Sequence, residues 1–156
     1  MPTEITLTHL EDLRFRAVTP TATIELESSP DPAVNLEHVT PMQAVLVALG
    51  CCGAMDVVAI LKKMRQDVTA YEVRVTGERA TEHPKVYTSI AVRHFVTGRE
   101  IVEANVHRAI QLSISRYCPV HAMLSKAVPI SVSYEIRGAD GVTQTGIVEP
   151  EVATPG

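Results

Sequence analysis

Three cysteines, Cys51, Cys52 and Cys118, are the side chains in this 156-residue sequence best suited to chemistry. A thiolate is a strong nucleophile and a soft metal ligand. Two of them stand side by side in Gly50-Cys51-Cys52-Gly53-Ala54-Met55-Asp56, inside a helical pattern. Neighbouring residues on a helix point about 100° apart, so Cys51 and Cys52 cannot both face one site and do not readily bridge each other. Gly50 and Gly53 each cost about 1 kcal/mol against Ala in a helix interior. Close approach of another backbone or of a ligand near the cysteines would account for them. Cys118 lies in Tyr117-Cys118-Pro119-Val120-His121, where it falls at a helix N-cap. Free N–H groups and the positive helix end lower a thiol pKa there. Asp56, four residues after Cys52, shares its helical face and would raise the thiol pKa unless an arginine stood nearby.

Blander readings stand beside these. A cysteine in an apolar helix is commonly a small core residue. Cys118 and His121 have a suggestive spacing for zinc, but four ligands at a diagnostic spacing are not visible, so no metal and no cofactor is expected. A Cys118–His121 hydrolase pair lacks any marked oxyanion hole. His9, His38, His83, His94 and His107 read as solvated or turn residues. The net charge of -4, with no run of Lys or Arg, argues against nucleic acid as a partner. The apolar stretch from Ala44 to Leu61 is short for a membrane span, carries Asp56 and runs into Lys62-Lys63-Met64-Arg65. It reads as a buried helix of a soluble protein, not a membrane span. No signal peptide is visible in Met1 to Leu10, so the cytoplasm, with reduced cysteines, is the expected compartment.

The elements that must position the thiols follow from periodicity. Glu4 to His9, Leu13 to Val18 and Thr21 to Glu27 read as strands, with Ser28 to Pro32 as a break. Thr40 is a helix N-cap and Pro41 suits the first helical position. Met42, Val45, Leu46, Leu49, Val57, Ile60, Leu61 and Met64 recur at helical spacing, and apolar residues fill much of the opposite face. This helix should therefore be buried nearly all round and end between Arg65 and Asp67, with a second subunit covering what one small sheet cannot. Two alternating strands follow, Tyr71 to Gly77 and Val86 to Val96. Then come a helix from Glu100 to Tyr117, a short helix from Pro119 through Leu124, and a closing strand from Pro129 to Ile136. Residues 1–137 make one domain, and 138–156 read as a loose tail. The fold class is α+β, an antiparallel sheet with a long central buried helix.

Thr40-Pro41 through Val58, with Ile60 to Arg65, resembles the core helix of the OsmC/Ohr superfamily, and Tyr117-Cys118-Pro119-Val120-His121-Ala122-Met123-Leu124 resembles its second motif. The two cysteines stand about 65 residues apart, as in that family. The Gly-Ala-Met-Asp after the first cysteine is similar to one branch of it. The resemblance implies an OsmC-like fold and an intertwined homodimer with sites at the subunit interface. It implies a thiol-dependent peroxidase that reduces organic hydroperoxides. Cys52 attacks and forms a sulfenic acid, Cys118 resolves it as a disulfide, and a small dithiol such as a dihydrolipoyl group restores both. In active relatives an arginine from the N-terminal strands stabilises the thiolate. Arg14 and Arg16 are the candidates here, and strand register decides between them. The glutamate that holds this arginine in the family falls at Met42, with Gln43 beside it, and neither ionises. That departure supports an alternative, a non-catalytic ligand-binding or redox-sensing member of the same fold. Cys51 replaces a residue that is small in the family.

Overall fold

A computed structural model describes residues 2–152, the side chain of Val142 excepted. The chain forms two compact units, 1–45 and 46–156 by chain position, and the boundary falls inside the long helix.

In the first unit, β1 (Thr6–Glu11), β2 (Arg14–Val18) and β3 (Thr23–Glu27) form an antiparallel meander. Thr19 closes the β2–β3 turn by accepting the Ala22 N–H on Oγ1 at 2.9 Å. Ala17 is buried, whereas Leu7, Phe15 and Ile24 are exposed. At the far end of the unit, Thr40 Oγ1 accepts the Gln43 N–H at 3.2 Å and Gln43 Oε1 accepts the Thr40 N–H at 3.0 Å. This reciprocal capping box starts α1 (Pro41–Lys63) where Thr40-Pro41 predicts it.

In the second unit, α1 turns Leu49, Gly50, Val57 and Leu61 inward. Lys62 and Lys63 complement its C-terminal dipole. The stop is a Schellman arrangement: Gln66 N donates to Leu61 O and Arg65 N to Lys62 O, both at 3.0 Å, with Arg65 left-handed at φ 56°. Burial all round the helix does not hold within one chain. The sheet covers one face only, and Val47, Met55 and Val58 on the other are exposed. By length and composition this helix is also able to cross a membrane.

The sheet runs β4 (Asp67–Arg79), β5 (Tyr87–Arg99), β6 (Ile130–Gly138) and β7 (Gly141–Ile147) in that order. The β4–β5 and β6–β7 pairs are antiparallel, but β5 and β6 are parallel, from Ile90 opposite Ile130 to Thr97 opposite Arg137. An all-antiparallel sheet is thereby corrected. The helical connection between β5 and β6 is a crossover, which returns the chain in the same direction. That connection is α2 (Glu103–Leu112), a π-turn over Ser113–Tyr117, and α3 (Pro119–Leu124). Val106, Ala109 and Ile110 of α2 join Val57, Leu61, Val96 and Ile136 in one core. Each such large aliphatic side chain contributes about 1.5–3 kcal/mol on burial.

The expected loose tail is also corrected. Residues 141–147 pair with β6, Val148 is buried, and the Glu151 amide donates to Ser115 Oγ at 2.9 Å. The Glu151 carboxylate holds Arg108 and, at 3.6 Å, Arg116. Short strands with Gly and Thr give a weak alternation signal, and these contacts are long-range. Residues 153–156, the end of that segment, lie outside the described residues.

Candidate active site

Helix α1 carries Cys51 and Cys52 on different faces, as their adjacency requires. Cys51 is exposed, Cys52 half-buried and Cys118 buried, and all three thiols are free. Cys118 is the N-cap of α3, with extended backbone at φ −79°, ψ 101°, and Pro119 follows in the first turn. Its Sγ accepts the His121 N–H at 3.3 Å. The Cys118 amide donates to Ser113 O at 2.9 Å, the i to i+5 bond that closes the π-turn. The Cys52 thiol faces Cys118 closely enough to act on it through side-chain hydrogen bonding and charge, and the Asp56 carboxylate acts on it through charge.

The expectation that the helix end activates Cys118 is overturned. Burial pushes its thiol up to about 11, with Cys52 and Asp56 adding to the rise, while the His121 N–H pulls the other way. A short helix end contributes well under 1 kcal/mol at many sites, whereas desolvation moves a buried thiol by several pKa units. Burial wins, and Cys118 is held as the neutral thiol.

A polar group surrounds the pair. Asp56, on the Cys52 face as its spacing predicts, accepts Ser113 Oγ–H on Oδ2 at 2.9 Å. Ser113, His121 and His94 are buried and line one small cavity with Cys118. His94 is bonded through Nδ1 to the Tyr71 hydroxyl. Burial lowers the pKa of His121 and brings that of His94 down to about 4, while the Tyr71 phenol is raised for the same reason. The reading of His94 as a solvated residue is corrected. It shares strand parity with Val92 and Val96, the core side of β5, and that alternation is the signal that marks it. Ser113 had no such signal, because its role depends on the π-turn. Among the described residues no three His, Cys, Asp or Glu side chains converge as metal ligands.

Gly50 is explained by a close approach. A Cβ there would stand 2.8 Å from Val75 Cγ2 of β4. Gly53 is not, since a Cβ would meet Ser113 Oγ at an ordinary 3.7 Å. Gly50→Ala gains about 1 kcal/mol of helix propensity and incurs about 1–3 kcal/mol of overpacking against a stiff β-branched neighbour. The expected outcome is a net loss of about 1 kcal/mol in urea unfolding, largely recovered when Val75→Ala is added. A stabilised Gly50→Ala protein would contradict the packing argument. Beside Gly50, the exposed side of α1 and β4 form a groove of about 430 Å³ lined by Val47, Cys51, Ala54, Tyr71 and Val73.

In the first unit, Arg14 and Arg16 both engage Glu25 of β3. Arg16 Nε and Nη2 donate to Glu25 Oε1 at 3.2 and 3.0 Å, and Arg14 Nε stands 3.7 Å from Oε2. Arg14 also pairs with Glu11 at 2.8 Å. His38 Nε2 approaches Glu25 Oε2 at 3.4 Å. Glu27 is held below the usual carboxylate range chiefly by the His38 backbone N–H, with the Glu37 N–H assisting. Gln43 spends its side chain on the helix cap. Glu25 is thus the carboxylate that fastens the two candidate arginines. Its signal was the β2–β3 turn, which sets Arg16 opposite Glu25.

The family model for OsmC-like proteins matches residues 34–133. Protein YhfA of Escherichia coli strain K12 is 50% identical over 100 residues, spanning 64% of this chain and 75% of that protein. A hypothetical protein from Aquifex aeolicus VF5 has a crystal structure that superposes with a TM-score of 0.78 at 28% identity, covering 88% of this chain and 98% of that one. An organic hydroperoxide resistance protein from Legionella pneumophila shares the fold, with a TM-score of 0.64 at 10% identity over 86% and 96% of the two chains.

Proposed function

The chain belongs to the OsmC-like protein family, and from that membership and the thiol geometry we propose that it is a cysteine-based peroxidase acting on organic hydroperoxides. The Cys52 thiolate attacks the O–O bond, the alkoxide leaves and takes a proton from solvent, and the resulting sulfenic acid condenses with Cys118 to a disulfide with loss of water. One observation carries this reading: Cys52 stands near enough to Cys118 to act on its thiol, and the two differ in access, half-buried against buried. The attacking thiol must be reached by peroxide, whereas the resolving thiol need only reach its partner. The resemblance assigns the thiolate's cation to Arg14 or Arg16, and within the first unit Glu25 takes the fastening role that Met42 cannot.

The working form is a homodimer. Val47, Met55 and Val58 on α1 are 53%, 71% and 47% exposed, and Leu7 and Ile24 of the first unit 64% and 52%. A second copy covering these surfaces gains about 25 cal/mol per Å² of apolar area. The compartment is the cytoplasm, and the reductant a small dithiol of dihydrolipoyl type.

The groove beside Cys51 favours a second reading, a non-catalytic ligand-binding or redox-sensing protein. Thiol counting and intact mass after one equivalent of cumene hydroperoxide, against hydrogen peroxide, separate the two. Loss of two thiols per chain as a Cys52–Cys118 disulfide, absent in Cys52→Ser and reversed by dihydrolipoamide, is the expected result. Three thiols that stay reduced for minutes would sink the peroxidase reading in favour of the second.

A further inference from the structure

We propose that Asp56, held in place by Ser113, carries the proton from Cys118 to the leaving oxygen of Cys52 when the disulfide closes. This rests on the peroxidase reading and adds a residue to its second step.

Closing the disulfide is a demanding proton transfer. The Cys118 sulfur attacks the sulfur of Cys52–S–OH, the S–S bond forms, and the S–O bond breaks. Cys118 must lose its proton, and the departing hydroxyl must gain one to leave as water. One proton moved from the first atom to the second balances the step, with no other reactant. Cys118 does not shed that proton unaided, since burial keeps it as the neutral thiol.

Three observations place Asp56 for the transfer. It lies four residues after Cys52, one helical turn along the same face of α1. Its carboxylate lies close enough to Cys118 to act on that thiol through charge. Ser113 then ties it down from a separate element: Oγ donates to Asp56 Oδ2 at 2.9 Å, while Ser113 O accepts the Cys118 amide at 2.9 Å. A single residue of the π-turn thus fixes both the carboxylate and the resolving cysteine. Such an insertion in a helix is disfavoured in general and recurs at functional sites.

The other titratable groups around Cys118 fit the role less well. His94 of β5 is committed through Nδ1 to Tyr71. His121 of α3 presents its backbone N–H to the Cys118 sulfur, and it shares no helical face with Cys52. Among these described residues, Asp56 alone combines a charge interaction with Cys118 and a place on the Cys52 face.

The test follows sulfenic acid and disulfide in the same reaction by rapid quench, with a dimedone-type trap and intact mass, after one equivalent of cumene hydroperoxide. In Asp56→Asn the rate of closure relative to sulfenic acid formation should fall on the order of a hundredfold, the scale of a lost general acid–base group. Added formate should restore part of it, which a purely structural role would not allow. Ser113→Ala leaves the carboxylate but loosens it, and should slow closure by a smaller factor. It also keeps the idea testable if Asp56→Asn does not fold. Closure at the wild-type rate in these variants, or a loss found in His121→Gln instead, would overturn the assignment. A wild-type protein that forms no sulfenic acid would bring down the peroxidase reading itself.

Discussion

On the proposed peroxidase reading, replacing Cys118 with Ala is expected to stop catalytic turnover while sparing one round of peroxide consumption. Cys52 would still attack, and the variant would accumulate one oxygen on that residue. Without a neighbouring thiol the sulfenic acid waits for an external dithiol. Well-oriented intramolecular groups act at effective molarities of about 10⁵ M or more, against a reductant at millimolar concentration. Steady-state turnover with dihydrolipoamide should therefore fall on the order of a hundredfold or more. Excess peroxide should push the stranded sulfur on to the irreversible sulfinic acid. Coupled turnover and intact mass together check this. A variant that turns over at the wild-type rate would mean that Cys118, despite its place near Cys52, is not the resolving thiol.

Acid is expected to weaken the fold well before its carboxylates titrate, through His94. Its pKa falls from 6.5 to about 4 because burial penalises the imidazolium. Above pH 6.5 the ring is neutral in both states and the protein has its full stability. As pH drops below 6.5 the unfolded chain takes up the proton first, which favours unfolding. The loss grows until about pH 4 and stays lost below it. That gap corresponds to about 3 kcal/mol, a large part of the 5–15 kcal/mol that holds a typical domain together. His121, lowered for the same reason, adds in the same direction. Urea unfolding followed from pH 7.5 to 4.5 should show the decline. His94→Asn, which can still bond the Tyr71 hydroxyl, should flatten most of it. Equal slopes in the two proteins would mean that His94 is solvated or protonated in the fold.

Both predictions depend on how the chain surrounds a residue. His94 appears in the sequence as one of six histidines, and only its parity with Val92 and Val96 hints at the core. Cys118 is legible as an N-cap, and the cap is there, but its consequence for the thiol is the opposite of what the cap alone implies. Local geometry predicts a lowered pKa, and burial by β5, β6 and α1 reverses the sign. Asp56 was visible on the Cys52 face, whereas Ser113 was hidden, since no spacing rule announces a π-turn.

Local chemistry explains what could be read directly. Thr40-Pro41 starts α1, and Lys62-Lys63 marks its end, because capping and charge act within one turn. Period-two alternation marks β4 and β5 because one face of each strand meets the core. Adjacent Cys51 and Cys52 had to diverge by helix geometry alone. What needed the folded chain was everything that joins distant segments. The β5–β6 pair is parallel because a helical crossover separates the strands. Residues 141–151 dock through Val148 and Glu151 rather than trailing free. Arg14 and Arg16 share Glu25 because a turn sets β2 against β3 in one register. Burial, and with it the protonation state of each thiol and imidazole, is a sum over neighbours far apart in the chain, and no window of sequence contains that sum.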